Sequence, residues 1–320
     1  MSAHVSRRRD NMKITYSIIA PIFNEKENLP ELHRRVSEVM KQTRKTWELV
    51  LVDDGSTDGS TEMIRELAKK DKHIRPVIFA RNFGHQIAIT AGWDYARGDA
   101  VVIIDADLQD PPELILEMVK KWQEGYEVVY AIRAEREGES WFKLWTASLF
   151  YRIIYRITDV EIPLDTGDFR LMDRKVVNVL KSMRERYRFP RGMSAWVGFK
   201  QVGVEYKRAA RVAGETKYPF RKMFRLAINA VTGFSYFPLQ VATYIGFFSA
   251  GIAAIAIPIV IYMRITGSQA FFGQATTLIA VLFLGGVQLI SLGILGEYIG
   301  RLYDEAKGRP LYIVREAPDD

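Results

Sequence analysis

The sequence predicts an α/β protein with a mostly parallel sheet, followed by two membrane-spanning helices. Between residues 13 and 135, short apolar strand patterns alternate with amphipathic helical patterns, as in a parallel sheet covered by helices on both faces. Two uncharged stretches follow, at 237–263 and 275–296. Each exceeds the roughly 18 residues above which an apolar run indicates a membrane span.

The strand and helix patterns follow a regular order. ITYSIIA (14–20) comes first, and apolar residues at helical spacing follow it. The later strand patterns are WELVLV, PVIFA, AVVIIDAD and EVVYAI, separated by the helical patterns TEMIRELAKK, HQIAITAGWDYA and PPELILEMVKKWQ. The polar motifs PIFNE, VDDGSTDGS and DADLQD stand at strand ends. Because ligands of such sheets bind beyond the carboxyl ends of the strands, we expect one composite site.

The uncharged stretches define the expected topology. Two buried core helices are the alternative to spans, but each stretch can cross a hydrocarbon core of about 30 Å. The connecting loop carries one basic residue, Arg264, whereas basic residues cluster before the first stretch and after the second. The positive-inside rule then places the α/β domain and both termini in the cytoplasm, in an inner or plasma membrane.

Seven regions result from these patterns. They are a mobile tail (1–12), an α/β domain (13–218), a juxtamembrane amphipathic helix (219–236), a first span (237–263), an external loop (264–274), a second span (275–299) and a cytoplasmic tail (300–320). Within the domain, 139–158 carries aromatic and basic residues near one helical stripe. It is either a core helix or a helix at the membrane interface.

The composition limits the chemistry. The 320 residues include no cysteine and 4 histidines, and the formal net charge is +7. Disulfides, thiolate zinc sites and cysteine nucleophiles are excluded, so a metal would be bound by oxygen, which favours Mg²⁺ or Mn²⁺. The basic excess indicates an anionic partner. Nucleic acid is not expected, because the basic residues concentrate beside the spans, where anionic lipid explains them.

The motif IIDADLQDPPELI has two interpretations. Asp105 and Asp107 at the end of a strand can both turn toward a divalent cation, and Mg²⁺ shares its coordination shell with substrate phosphates. The same acids can instead form a solvated turn that caps the next helix, and Asp110 fits an N-cap. VDDGSTDGS is likewise a capped turn or a place where an aspartate accepts hydrogen bonds from a nucleobase or ribose.

Five motifs together carry a family resemblance. They are APIFNEKENLP, VDDGSTDGS, RNFGHQIAITAGWDYARGDAVVIIDADLQDPPELI, DTGDFRLMDRKVV and LFLGGVQLISLGILGEYIGRLYDEAKGRPLYIV. Over residues 13–315 the chain resembles bacterial polyprenyl-phosphate glycosyltransferases of glycosyltransferase family 2, with bactoprenol glucosyltransferases nearest and dolichyl-phosphate mannose synthases more distant. This resemblance implies a GT-A catalytic domain, which is Rossmann-like with a mostly parallel sheet.

The resemblance also implies a donor side for the site. Asp105, Asp107 and Gln109 match the metal ligands, for Mg²⁺ or Mn²⁺. The residues that match the binding site of the nucleotide sugar are Pro21, Asn24, Glu25, Asp53, Asp54 and Asp105. Among them, Asp54 matches the acid that recognises the base.

On the acceptor side, Asp168 in TGDFRLM matches the candidate catalytic carboxylate. Arg133 and Arg170 are the expected phosphate contacts, and the basic segment 133–140 matches a loop that closes over the acceptor. A lipid phosphate is already largely anionic at neutral pH, so it needs positioning more than a strong base. Asp168 therefore has an alternative role as a structural carboxylate paired with Arg170.

The implied reaction is inverting transfer of a hexose, first of all glucose from UDP-glucose, to undecaprenyl or another polyprenyl phosphate at the cytoplasmic membrane face. The product would serve glycosylation of the cell envelope. GDP-mannose or a UDP-aminosugar are alternative donors, and a membrane-anchored scaffold that binds nucleotide sugars is the non-enzymatic alternative. The resemblance also implies a homotetramer.

Overall fold

A computed structural model describes residues 13–133, 166–206, 235, 237–266 and 274–318. They fall into an α/β unit (13–133, 166–206 and 310–318) and a helical unit (235, 237–266 and 274–309). The tail expected at 1–12 and the helix at 139–158 lie outside the described residues. So do the segment 133–140 beyond its first residue and, apart from Ser235, the juxtamembrane helix expected at 219–236.

The α/β unit is built on one eight-stranded sheet. Its strands are β1 Tyr16–Ile22, β2 Trp47–Asp53, β3 Ile74–Phe79, β4 Ala100–Ile103, β5 Val128–Arg133, β6 Thr166–Asp173, β7 Gln201–Tyr206 and β8 Val314–Glu316. They lie in the order β7-β5-β6-β4-β1-β2-β3-β8. Strands β4, β1, β2 and β3 are mutually parallel, β6 runs antiparallel to both β4 and β5, and β7 is parallel to β5. The predicted mostly parallel sheet is confirmed.

Among the residues that the structure describes, six α-helices accompany the sheet. They are α1 Leu29–Thr43, α2 Ser60–Lys70, α3 His85–Tyr95, α4 Ile115–Gln123, α5 Arg174–Ser182 and α6 Pro190–Trp196. All seven residues of β1 and all seven of β2 are buried, as expected for central parallel strands covered on both faces. The carboxyl ends of β1, β2, β3 and β4 therefore share one edge of the sheet, which positions the site.

Two local features allow β1 to lie in the centre of the sheet. Pro21 lies within the strand, where a missing N–H normally costs a ladder hydrogen bond, but the pairing with β4 ends at Ile19 and Ile103. The second feature is the close approach of α3 to β1 at Gly92, where a Cβ would lie 2.2 Å from Cγ2 of Ile19. Gly92 therefore lets α3 pack directly on β1.

A buried charge cluster lies at the amino ends of the parallel strands. Its centre is Glu48 on β2, which is 1% exposed. Its carboxylate accepts hydrogen bonds from the Ser17 hydroxyl at 2.5 Å and from the backbone N–H and Nε of Arg97 at 2.7 and 2.9 Å. Arg75 Nε lies 3.6 Å away. The cluster joins β1, β2 and the loop before β4.

The C-terminal segment extends the sheet. Strand β8 pairs antiparallel with β3, and Tyr312 stacks on Phe79 with ring centroids 5.1 Å apart. The Tyr312 hydroxyl donates to Asp94 at 2.7 Å, and Arg65 pairs with Glu316. Part of the expected tail (300–320) is thus an edge strand.

The helical unit consists of α7 Phe237–Ile265 and α8 Gln274–Ala306. Their most apolar segments, Phe237–Met263 and Ala280–Ala306, have mean hydropathies of 2.2 and 1.8. By length and composition, both helices can cross a membrane, since 27 residues span about 40 Å at 1.5 Å each. Near the end of α8, Arg301 donates to Glu297 at 3.0 Å, one helical turn away.

Candidate active site

The first two polar motifs meet at the carboxyl edge of the sheet. The Asn24 backbone N–H donates to the Ser56 hydroxyl at 3.0 Å, and the Asn24 side-chain oxygen accepts from the Thr57 N–H at 2.8 Å. Asn24 has a φ of 55°, a left-handed conformation that asparagine tolerates better than most residues. Glu25 accepts from the Asn28 amide at 2.7 Å. The loops after β1 and β2 therefore form one connected rim.

The two acids of VDDGSTDGS order the rim. Asp53 accepts from the Ser56 N–H at 3.0 Å and from the Thr61 hydroxyl. Asp54 accepts from the backbone N–H groups of Phe83 and Gly84 at 2.6 and 2.9 Å. Burial raises the pKa of Asp54, although these two amide hydrogen bonds oppose the shift. Both carboxylates hold neighbouring loops in place, and their contact with a nucleotide stays a prediction.

Gly55 lets the loops after β2 and β3 touch. Its φ is +71°, and a Cβ there would lie 2.6 Å from the backbone of both Arg81 and Asn82. We expect Gly55→Ala to lower the thermal midpoint, because left-handed backbone costs about 1–2 kcal/mol and the neighbouring backbone must also move. Binding of a nucleotide sugar, measured by calorimetry, should weaken as well.

Gly125→Ala is the matched control for Gly55→Ala. Gly125 has a φ of +92°, yet nothing lies within 4 Å of the position of its Cβ. This variant carries the conformational strain without the clash, so its thermal midpoint should fall less and its binding should be unchanged. Equal effects of both substitutions on midpoint and binding would contradict the role of the Gly55 contact.

Asp105 and Asp107 follow β4 at the same edge. Leu108 between Asp107 and Gln109 has a φ of 58° and is 2% exposed, which is rare for a leucine and costs about 1–2 kcal/mol. Burial in the core holds this side chain, and the turn lets the Gln109 N–H donate to Asp107 at 3.2 Å. The three predicted metal ligands therefore lie on one strained turn.

The predicted cap by Asp110 is wrong. The 3₁₀ turn Pro112–Leu114 that precedes α4 has Pro111 at its N-cap and no side-chain cap. Asp110 is instead fully buried and accepts a hydrogen bond from the Tyr206 hydroxyl, which lies 3.4 Å from Arg133 Nε. Burial and Asp110 raise the pKa of Tyr206 to about 12. Arg133 is thus anchored at the end of β5 through β7.

Asp168 on β6 is buried among donors. Its Oδ1 accepts from Arg191 Nε at 2.8 Å, and its Oδ2 lies 3.3 Å from His85 Nε2 and 3.4 Å from Gln86 Nε2. Burial alone would raise the pKa of Asp168, but the charge of Arg191 and the His85 contact hold it well below its usual range. The carboxylate is thus ionised and fully engaged.

His85 connects the two halves of the site. Its Nε2 lies 3.6 Å from Asp105 Oδ1 as well as 3.3 Å from Asp168. Burial would lower the pKa of His85, but the Asp168 hydrogen bond and both carboxylate charges raise it to about 9. Burial raises the pKa of Asp105 to about 6, with Asp168, Asp110 and Asp107 adding to the shift against His85.

Arg170 does not pair with Asp168 as the alternative interpretation had it. It is 3% exposed, and its guanidinium donates to the Ser194 hydroxyl and to the Gly167 carbonyl at 2.9 Å. Burial lowers the pKa of Arg170 to about 10. Arg191 of α6 makes the ion pair instead.

The donor set fits a hard divalent cation. Among the residues that the structure describes, no group of three His, Asp or Glu side chains could hold a metal by itself. Asp105, Asp107 and Gln109 offer oxygen ligands, and a cation would offset both the burial of Asp105 and its repulsion by neighbouring acids, which raise its pKa in that order. Mg²⁺ and Mn²⁺ bind in this way when substrate or water completes the coordination.

Comparisons with known proteins agree with this architecture. The model of "Glycosyl transferase family 2" matches residues 17–180, and that of "GtrB C-terminal hairpin" matches 237–302. The chain is 52% identical over 304 residues to "Uncharacterized glycosyltransferase YkcC" of Bacillus subtilis, covering 95% of this chain and 94% of that protein.

Other relatives have names that state an activity, as two examples show. The "Prophage bactoprenol glucosyl transferase homolog" of Escherichia coli is 43% identical over 95% of this chain and 99% of its own length. The "SfII prophage-derived bactoprenol glucosyl transferase" of Shigella flexneri is 43% identical over 96% of this chain and 98% of its own length. By the family match and these relatives along its whole length, the chain belongs to glycosyl transferase family 2 and is a glycosyltransferase with a GT-A fold.

Proposed function

We propose that this enzyme transfers a hexose, most directly glucose from UDP-glucose, to a polyprenyl phosphate at the cytoplasmic face of a membrane. The observation that carries the proposal is the position of His85, which lies against both Asp105 and Asp168. The acids expected on the donor side and the carboxylate expected on the acceptor side thereby belong to one site. The relatives named as bactoprenol glucosyl transferases and the apolar hairpin support the lipid acceptor.

The donor half of the reaction follows from the loops around β1, β2 and β4. Asp105, Asp107 and Gln109 would hold Mg²⁺ or Mn²⁺, which supplies charge neutralisation for the diphosphate leaving group. Asp54 orders the loop at Phe83 and Gly84 beside the expected nucleotide. Pro21, Asn24, Glu25 and Asp53 belong to the same rim and complete the proposed donor site.

The acceptor half needs an anion brought to the anomeric carbon. An oxygen of the lipid phosphate attacks that carbon on the face opposite the diphosphate, so the configuration inverts. Because the phosphate has a second pKa near 6, no residue has to remove a proton at neutral pH. Asp168 would position groups in the site, and Arg133 at the end of β5 would contact phosphate oxygens.

The hairpin and the assembly belong to the same proposal. We place helices α7 and α8 across an inner or plasma membrane, with the α/β unit and both termini in the cytoplasm. The homotetramer that the family resemblance implies is part of the proposal, and light scattering of the detergent-solubilised protein would measure it. The product would be a polyprenyl-phosphate-linked sugar for cell-envelope glycosylation.

The test uses inverted membrane vesicles that contain the full chain. Labelled UDP-glucose, GDP-mannose and a UDP-aminosugar are supplied in turn with Mn²⁺ and a polyprenyl phosphate, and lipid-extractable label is measured. We expect label from UDP-glucose in inverted vesicles and none in sealed right-side-out vesicles. Label from another donor would revise only the identity of the transferred sugar and leave the rest of the proposal standing. No labelled lipid from any donor, with the donor still bound, would favour a nucleotide-sugar-binding scaffold.

A further inference from the structure

Arg191 and His85 place a guanidinium and an imidazole against one buried acid, Asp168. The Arg191 side chain keeps 31% of its surface exposed and the His85 side chain 36%, whereas that of Asp168 keeps 4%. Asp168 is therefore shielded from solvent, and the guanidinium and the imidazole form the accessible surface above it. This surface offers the permanently charged guanidinium, with the imidazole beside it, to an anion on the solvent side.

Hydrogen bonds to β6 fix the orientation of the Arg191 guanidinium. Its Nε donates to Asp168 at 2.8 Å and its Nη1 donates to the Thr166 carbonyl at 3.0 Å. These contacts pin the planar guanidinium to β6 and remove much of the rotamer freedom that a surface arginine would lose on binding. Its Nη2 lies 3.5 Å from the second Asp168 oxygen. A guanidinium held in this way is a pre-oriented, permanently charged donor for phosphate.

We propose that Arg191 and His85 bind the phosphate of the lipid acceptor, and that Asp168 is the positioning residue that holds both side chains in place. This rests on the proposed function and assigns the acceptor site within it. The site lies beside Asp105, because His85 Nε2 is 3.6 Å from its carboxylate. An acceptor phosphate held there would lie within reach of a sugar whose diphosphate is bound at the proposed metal site.

Arg170 and Asp168 then have other roles than the family resemblance implies. Arg170 is committed to Ser194 and Gly167 inside the protein, so the accessible arginine beside Asp168 is Arg191. Asp168 accepts from three side chains through its two oxygens, an arrangement that suits an anchor and opposes proton uptake.

A binding measurement tests the site without relying on turnover. Farnesyl phosphate, farnesol and inorganic phosphate are titrated into the detergent-solubilised full chain by calorimetry. We expect farnesyl phosphate to bind and farnesol to bind much more weakly. Inorganic phosphate should compete for the same site but bind more weakly than farnesyl phosphate, whereas equal affinity of the two would identify a free anion as the ligand and overturn the assignment to the lipid. Equal affinity for farnesol and farnesyl phosphate would overturn the inference.

Substitutions then assign the contacts. Arg191→Gln should weaken farnesyl phosphate binding about 10- to 100-fold, because a charge-assisted hydrogen bond is lost. UDP-glucose affinity should change less than about threefold. Arg184→Gln is the matched control, since Arg184 pairs with Asp94 and is half exposed. Should Arg191→Gln fail to fold, Arg191→Lys keeps the charge but loses the fork, and binding equal to wild type would overturn the inference.

Asp168→Asn distinguishes a positioning residue from a base. We expect it to raise the KM for polyprenyl phosphate as Arg191→Gln does, and the double variant to be no worse than either single one. Loss of kcat with unchanged farnesyl phosphate affinity would overturn the positioning role. Farnesyl phosphate binding without turnover by the wild type would instead overturn the proposed function and leave the anion site standing.

Discussion

Asp107→Asn is expected to reduce sugar transfer by at least about a hundredfold while the protein stays folded. Asp107 contributes a carboxylate to the turn after β4, and the amide that replaces it is a much weaker ligand for a hard cation. Electrostatic stabilisation of a leaving group is typically worth about 10²–10³ in rate when one contributor is removed. The rate of labelled lipid formation at saturating Mn²⁺ measures this loss.

Metal binding gives a second measurement for Asp107→Asn. Mn²⁺ titrated into the protein with UDP present should bind the wild type and bind the variant much more weakly. Glu113→Gln is the control, because Glu113 follows the same motif but pairs with Arg35 at an exposed surface, where ion pairs contribute little. Full activity of Asp107→Asn, or insensitivity of the wild type to a chelator, would contradict the metal assignment.

Glu48→Gln is expected to lower stability by about 3–5 kcal/mol, the usual cost of removing one partner of a buried ion pair. Glu48 is 1% exposed and accepts hydrogen bonds from Ser17 and Arg97, with Arg75 at 3.6 Å. The substitution preserves shape but leaves the arginines without this anion. For a domain of this size the apparent thermal midpoint should fall by roughly 6–20 °C.

Thermal unfolding in detergent at a fixed scan rate measures the Glu48→Gln effect. Glu31→Gln serves as its control, since Glu31 pairs with Arg34 on the exposed face of α1 and should change stability by less than about 1 kcal/mol. Glu48 lies at the amino end of β2, whereas the candidate site lies at the carboxyl ends of the strands. Donor binding at low temperature should therefore be retained. A midpoint within about 2 °C of the wild type would show that the cluster contributes no net stability.

The parallel core was predictable because its signal is local. Each strand from β1 to β4 is a short apolar run, and each helix between them repeats apolar residues at helical spacing. The insertion of β6 between β4 and β5 was not predictable in this way, since it pairs residues about seventy positions apart. The family resemblance supplied the fold that periodicity alone left open.

The candidate site was likewise predictable from the sequence only in part. The acids at strand ends were found because topology places them together, whereas Asp110 was misassigned because its partner Tyr206 is 96 residues away. His85 and Arg191 were missed as site residues for the same reason. His85 begins α3 directly after the loop that follows β3, so its place at the carboxyl edge was the available signal.

The pairing of β8 with β3 determines when the sheet is completed during synthesis of the chain. It covers the edge of β3, yet residues 314–316 are translated after both apolar helices. While the ribosome synthesises the hairpin, β3 has an unpaired edge of the kind that invites association with other chains. The sheet is completed only when residues 314–316 emerge. Insertion of the hairpin therefore begins before the α/β unit has its full set of strands, and a nascent chain stalled within α8 would display that open edge.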